Sequence, residues 1–455
     1  MVTLDLEAAL MAAHSSYADR RPRSAAMAVA AAMVMPGGNT RSVLHFDPFP
    51  FRVERAEGSV LVDVDGHRYV DLLGNYTAGL FGHQVPAVRD AIIAQLDRGW
   101  AIGATHALEV ELAELICGRF ESVEQVRFTN SGTEANLMAI GTAMHVTERR
   151  KVLVFEEGYH GGVLTFAHGP GALNVPHDFL ALPYNDVCAV EAAFAAVGSE
   201  IACVIVEPVQ GSGGCIPGEL EFLEALRHLC NQHGAVLIFD EVMTSRLHPG
   251  GAQARFGVLP DMTTLGKYLG GGMTFGAFGG RRSIMAAFDP AQGGALSQAG
   301  TFNNNVVSMA AGVAALRDVL TPEALIALND RGDVLHERLS VTLAGAGLPM
   351  TVTGVGSMLN VRADDERWVE LFFHAMLDAG FYLARRGMIA LALDVTDEQL
   401  EAFSAAVERW AADATAAEGK RIPATRSLDP TSPLPTSQGP SSSELLAADR
   451  AAQRL

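Results

Sequence analysis

The stretch TTLGKYLGGG, residues 263–272, sets a single lysine, Lys267, among glycines. An amine there is either solvated charge on a turn or a nucleophile placed where a carbonyl compound must approach the backbone closely. In a dry pocket a lysine loses its proton readily and can form a Schiff base, and flanking glycines let the backbone turn tightly beside a ligand. Three other stretches bear on the choice. FTNSGTEAN runs from a strand pattern into Ser131, Gly132 and Thr133, the opening of a helix. The free N–H groups and positive dipole end of such a helix suit a phosphate, although Ser131 with Glu134 is also an ordinary capping box. VFEEGYHGG delivers Tyr159 and His160 into a glycine turn. The tyrosine offers a flat face for stacking on an aromatic ring; the plainer alternative is a surface Tyr-His pair on a loop. AVLIFDEVMTSR is an almost purely apolar strand ending in Asp240, a carboxylate that needs a partner such as a protonated pyridine nitrogen, or else a cap or a salt bridge. In chain order, phosphate cup, aromatic face, pyridine-pairing acid and amine are the parts needed to hold pyridoxal 5'-phosphate.

These features need a scaffold that brings strand ends together. From about Gly82 to Val319 helical patterns (VPAVRDAIIAQLDRG, ALEVELAELICGRF, TEANLMAIGTAMH, LEFLEALRHLCNQHG) alternate with strand patterns (QVRFTN, KVLVFE, ACVIVEP, AVLIFDE). The succession predicts an α/β chain with a mostly parallel sheet and helices on both faces, in which ligands bind at the C-terminal strand ends. FRVERAEGSVLVDVDGHRYVDLL reads as a small antiparallel meander. Residues from about Glu323 to Ala416 read as a smaller α+β unit, with a strand at MTVTGVGSMLNVRA and helices at ERWVELFFHAMLDAG and TDEQLEAFSAAVERWAADA. The expected division is an N-terminal part over 1–81, a large domain over 82–322, a small domain over 323–418 and a disordered, proline-rich tail over 419–455.

The bulk composition narrows the function classes. A net charge of -19 over 455 residues leaves no basic stripe for nucleic acid or an anionic membrane. No apolar run approaches the length of roughly 20 residues that spans a bilayer. Five cysteines without a C-x-x-C pair suggest neither a disulfide framework nor a zinc site, and no metal is expected; a reducing cytoplasm fits them. RRPRSAAMAVAAAMVMPGG imitates a twin-arginine export signal but reads better as an alanine-rich amphipathic helix leading into a Pro-Gly-Gly turn.

The motifs NSGTEAN, YHGG, EPVQGSGG, FDEVMTSR, TLGKYLGGG and GTFNNN, in that order from about Pro36 to Ala416, resemble the class-III aminotransferases of the fold-type I pyridoxal phosphate enzymes. The resemblance implies a cytoplasmic homodimer with active sites at the subunit interface. It implies that Lys267 carries the cofactor as an internal aldimine and serves as general acid/base, that Asp240 pairs the pyridine nitrogen, and that Tyr159 and Val242 cover the two ring faces. Ser131, Gly132 and Thr133 would cradle the phosphate, with Thr301 added from the partner subunit, and Glu207 would stand just behind the cofactor.

Two subgroups compete. MPGGNTRSVLHF resembles the access loop of glutamate-1-semialdehyde aminomutases, as do the methionine in DEVMT and the glycines after the lysine. Arg41, Ser245 and the lack of an acidic residue in YLARRGMIALAL depart from that pattern. Arg41 in GGNTRS, with FDEVMTSR, GTFNNN and ARRG, is instead similar to the β-phenylalanine aminotransferases. A guanidinium binds carboxylate through two parallel hydrogen bonds, so Arg41 is the candidate for the β-amino acid carboxylate. Arg386, or Arg385, is the candidate for that of an α-keto acid such as 2-oxoglutarate or pyruvate. The expected activity is ping-pong transamination of an aromatic β-amino acid; the alternative is an isomerase, an aminomutase or amino-acid racemase on the same scaffold.

Overall fold

The structure, a computed structural model, describes residues 5–418 apart from 168 and 295; the tail expected over 419–455 lies outside the described residues. Seven strands form the large sheet, in the spatial order Gln125–Thr129, Gly276–Gly280, Met262–Gly266, Val236–Asp240, Ile201–Val206, Lys151–Phe155 and Asp178–Leu182. Neighbours are parallel except at Gly276–Gly280, which runs antiparallel to both strands beside it.

Side-chain alternation explains why these strands are apolar throughout. Val236 and Ile238 pack with Ala135, Ala139 and Ile140 of the helix Gly132–Thr147. Leu237 and Phe239 point to the opposite face, against Phe222, Leu223 and Leu226 of the helix Leu220–His233. With both faces covered, no position of the strand is left for a polar residue until its end. Asn130, Glu207, Asp240 and Lys267 therefore sit at strand ends along one edge of the sheet.

Several short strands went unread in the sequence, among them GAFGG at Gly276–Gly280. It lacks the β-branched residues that mark a strand, because there is no room for them. A Cβ on Gly276 would lie 2.2 Å from the Ser131 carbonyl oxygen, and one on Gly279 would lie 2.5 Å from that of Gln125. MTVTGVGSMLNVRA, expected as one strand, is a hairpin of Met350–Val355 and Met358–Ala363. Its turn runs through Gly356 at φ 57°, a left-handed conformation that glycine adopts without strain.

The antiparallel meander forms as Val53–Glu57, Val60–Asp63 and Arg68–Asp71. Phe381–Tyr382 adds to it in parallel, so segments about 300 residues apart in sequence share one small sheet. Beside it, the alanine-rich segment forms the helix Pro22–Ala32. Arg21, just before that helix, is 1 % exposed. Its guanidinium lies over the Tyr17 ring at 4.0 Å, donates to the Tyr69 hydroxyl at 3.0 Å and stands 3.8 Å from the fully buried Asp63 carboxylate. Removing one partner of a buried pair strands the other charge. Arg21→Ala is therefore expected to cost about 3 kcal/mol in denaturant unfolding. Arg20→Ala, which removes an exposed ion pair with Asp378 and an exposed hydrogen bond to the Ser16 carbonyl, is expected to cost less than about 1 kcal/mol.

Candidate active site

The strand ends converge on a cavity of about 300 Å³ lined, among others, by Ser131, Gly132, Thr133, Tyr159, Asp240, Val242 and Lys267. Asp240 is its anchor. The apolar strand Val236–Asp240 carries the carboxylate to a site where it is 4 % exposed. One oxygen accepts from the Val242 N–H at 3.0 Å; the other accepts from Asn136 Nδ2 at 2.8 Å and lies 2.8 Å from His160 Nδ1. Asn136 is itself fixed by the Thr264 hydroxyl and the His160 carbonyl. Burial alone would lower the His160 pKa, but the hydrogen bond and charge of Asp240 raise it above its ordinary value. A carboxylate held in this way is fixed in orientation at the wall of the cavity.

Lys267 follows the strand Met262–Gly266 and takes φ 54°, the left-handed region that side-chain-bearing residues rarely occupy. Burial pulls its ammonium down to about 8; Asp240 opposes the shift, while Arg41 and Arg386 add to it. The amine thus gives up its proton far more readily than a surface lysine. At the other end of the cavity Ser131 caps the helix Gly132–Thr147 by accepting from the Glu134 N–H at 3.2 Å, and Glu134 reaches back to the Asn130 N–H at 2.5 Å. Only the Ser131 half of the capping box forms, because Glu134 bonds the residue before the cap, and the N–H groups of Gly132 and Thr133 have no intrahelical acceptor and can bind an anion.

Glu207 lies behind Tyr159. Its two oxygens accept from the Tyr159 and Gly211 N–H groups at 3.0 Å each, and burial pushes its carboxyl up to about 7, with His160 lowering it and Asp240 raising it. Tyr159 is 44 % exposed in the single chain. Thr301 is exposed and does not line this cavity within one chain. Asn303, close by, accepts from Asn130 Nδ2 at 2.9 Å, tying that loop to the turn before Ser131.

The arginines are brought together by residues that the motifs did not flag. Arg41 Cζ lies 5.3 Å and Arg386 Cζ 5.6 Å from the centre of the same Tyr76 ring. Tyr76 belongs to a left-handed turn, Gly74 to Thr77, with φ of 52°, 48°, 55° and 75°. Asn75 in that turn accepts from Arg41 Nη1 at 2.7 Å, and the Tyr76 hydroxyl donates to the Val43 carbonyl at 2.9 Å. Arg386 Nη1 donates to the Ser212 hydroxyl at 2.8 Å, while its Nε is buried with no hydrogen-bond partner among the described residues. Arg385 is exposed and pairs with Glu370 at 3.4 Å. The GNYT run carried the signal for the turn, since asparagine and glycine favour positive φ.

The cavity fits pyridoxal phosphate on its own features: unmet helix N–H groups, a buried carboxylate and an amine with a lowered pKa. Its wall is also tight, because a Cβ on Gly132 would meet both Val242 methyls at 2.8 Å. Residues 45–410 match the family profile described as Aminotransferase class-III. The chain belongs to the class-III aminotransferases. It is 49 % identical over 415 residues to the β-phenylalanine transaminase of Variovorax paradoxus, covering 88 % of this chain and 95 % of that protein. The crystal structure of a β-phenylalanine aminotransferase from Variovorax paradoxus superposes with a TM-score of 0.89 at 48 % identity, covering 90 % of this chain and 98 % of that one. A solved transaminase with PLP bound superposes at 0.83 with 32 % identity, covering 88 % and 99 %. This chain is a fold-type I, pyridoxal phosphate-dependent aminotransferase.

In the apoprotein the reactivity of Lys267 is expected to follow its free amine. Acylation of Lys267, read by peptide mass spectrometry, should rise about tenfold per pH unit and level off above pH about 8, whereas an ordinary surface lysine keeps rising toward about 10.4.

Proposed function

We propose that the enzyme transfers the amino group of an aromatic β-amino acid to an α-keto acid such as 2-oxoglutarate or pyruvate, by a ping-pong sequence. The observation that carries this reading is the pair of guanidiniums on Tyr76, one of them with an unmet N–H, both acting on Lys267. The identity to the β-phenylalanine transaminase supports the donor class. In a β-amino acid the carboxylate sits one carbon further from the amine than in an α-amino acid, and Arg41, on a different loop from Arg386, offers a separate fork for it.

Bound pyridoxal phosphate supplies an electron sink for the carbon that bears the substrate nitrogen. Asp240, fixed by His160 and Asn136, offers its carboxylate to a protonated pyridine nitrogen. Tyr159, held through its backbone by Glu207, and Val242 would cover the two ring faces, and Ser131, Gly132 and Thr133 would hold the phosphate. Lys267 Nζ, as the neutral amine, would take the proton from the carbon bearing nitrogen and pass it to the cofactor carbon within the same half-reaction, the keto acid half running that transfer in reverse. Arg386 holds the keto acid carboxylate while that proton moves. Thr301 reaches the phosphate of a second subunit in a homodimer, a reading supported by the exposure of Thr301 and of its neighbour Phe302, 64 % exposed in the single chain. A cytoplasmic location is part of the same proposal.

Charge-assisted hydrogen bonds contribute roughly 1.5–3 kcal/mol each, a factor of roughly 10–150. Arg386→Ala is expected to raise KM for 2-oxoglutarate by that factor while changing donor kinetics little. Arg41→Ala is expected to do the same for β-amino acid donors and to spare α-amino acid donors; equal loss for both donor classes removes Arg41 from the carboxylate role. Lys267→Ala is expected to abolish transamination. Turnover of the amino acid without any keto acid would instead show an isomerase.

A further inference from the structure

Away from the Lys267 cavity, a group of polar side chains is packed between two helices with hydrogen-bonding capacity unmet. His14, on the helix Leu6–Asp19, faces Glu370 and His374, which sit one turn apart on the helix Glu366–Asp378. The i,i+4 spacing puts Glu370 and His374 on one helix face. His14 Nε2 is 3.3 Å from Glu370 Oε1, and the two imidazoles meet edge to face with centres 4.8 Å apart. One ligand atom from each residue lies within 4.8 Å of the other two. His374 is 2 % exposed, and among the described residues neither of its ring nitrogens completes a hydrogen bond, although the Asp47 backbone comes near. A buried ring with both nitrogens unmet is costly.

We propose that His14, Glu370 and His374 form a binding site for a divalent transition-metal ion of the Zn²⁺ class, which fastens the N-terminal helix to the helix Glu366–Asp378. Two imidazoles and one carboxylate are an established zinc donor set that leaves a fourth position for water. Zinc bonds of about 2.0–2.2 Å in a tetrahedral arrangement bring donors to roughly 3.3–3.6 Å from one another, so small side-chain rotations close the set. The two oxygens of Glu370 already divide the work: Oε1 faces His14 and Oε2 accepts from Arg385 at 3.4 Å. The ion can take the first without displacing Arg385 from the second. Tyr17, Phe46 and Phe373 pack around the His374 ring and shield that side from water. The cluster could not be read from ligand spacing, because His14 lies in the first helix and its partners in the helix Glu366–Asp378, more than 350 residues further along the chain.

The test is equilibrium dialysis of the pyridoxal phosphate-loaded enzyme against Zn²⁺ alone, with thermal unfolding alongside. The wild type is expected to take up one ion per chain and to melt a few degrees higher with Zn²⁺ than with chelator. His14→Ala and Glu370→Gln are expected to lose both effects, and His14→Ala should keep wild-type transamination in chelator. No uptake by the wild type, or undiminished uptake by either variant through groups such as the exposed Cys188, overturns the proposal.

Discussion

The buried carboxylate of Asp240 constrains the arrangement of the site. It ends a strand whose other residues are wholly apolar, so its charge has no solvent to rest in. His160 and Asn136 supply partners from other segments, and Thr264, on the adjacent strand, orients Asn136. The remaining polarity of the site follows from that charge. Asp240 raises the His160 pKa and opposes the lowering of Lys267. Sheet order does this work: Val236–Asp240 lies between Ile201–Val206 and Met262–Gly266, which carry Glu207 and Lys267 at their ends.

A second constraint lies in the turn from Gly74 to Thr77. Three consecutive residues with side chains hold positive φ there, a conformation that persists only where surrounding contacts impose it. Those contacts are visible: Leu73 and Gly74 donate their N–H groups to Asp71, Tyr76 donates to Val43, and Asn75 accepts from Arg41. The turn follows directly from the meander strand Arg68–Asp71, which pairs with Phe381–Tyr382. Arg386 lies a few residues beyond that last strand, so the small sheet sets where both guanidiniums stand relative to Lys267.

Much of the large sheet was legible because a strand covered on both faces must be continuously apolar, and VLIFD and IACVIV satisfy that requirement. GAFGG escaped because close backbone packing at Gly276 and Gly279 excludes the residues by which strands are recognised. The glycines after Lys267 turned out to answer to a different neighbour from the one their sequence suggested. A Cβ on Gly271 would lie 2.4 Å from the Ala311 carbonyl oxygen, and one on Gly270 would lie 2.3 Å from Phe275 Cβ. They admit a helix and an aromatic ring, while the lysine that precedes them lines the cavity.

The sequence by itself determined which elements form and where each run of apolar residues must stop. A strand end, a helix cap or a glycine turn is set by neighbours within a few positions, and those are written in order along the chain. Only the tertiary structure decided which groups share a charge environment. His160 became the partner of Asp240, and Arg41 and Arg386 came to bracket one tyrosine, because separate segments close on the same edge of the sheet. Arg385 and Arg386, adjacent in sequence, were separated by direction alone: one side chain pairs with Glu370 at the surface, the other bonds Ser212 and keeps a buried N–H unmet. Coulomb energies and desolvation depend on distance through space, and that distance is fixed by packing between segments that no local pattern records.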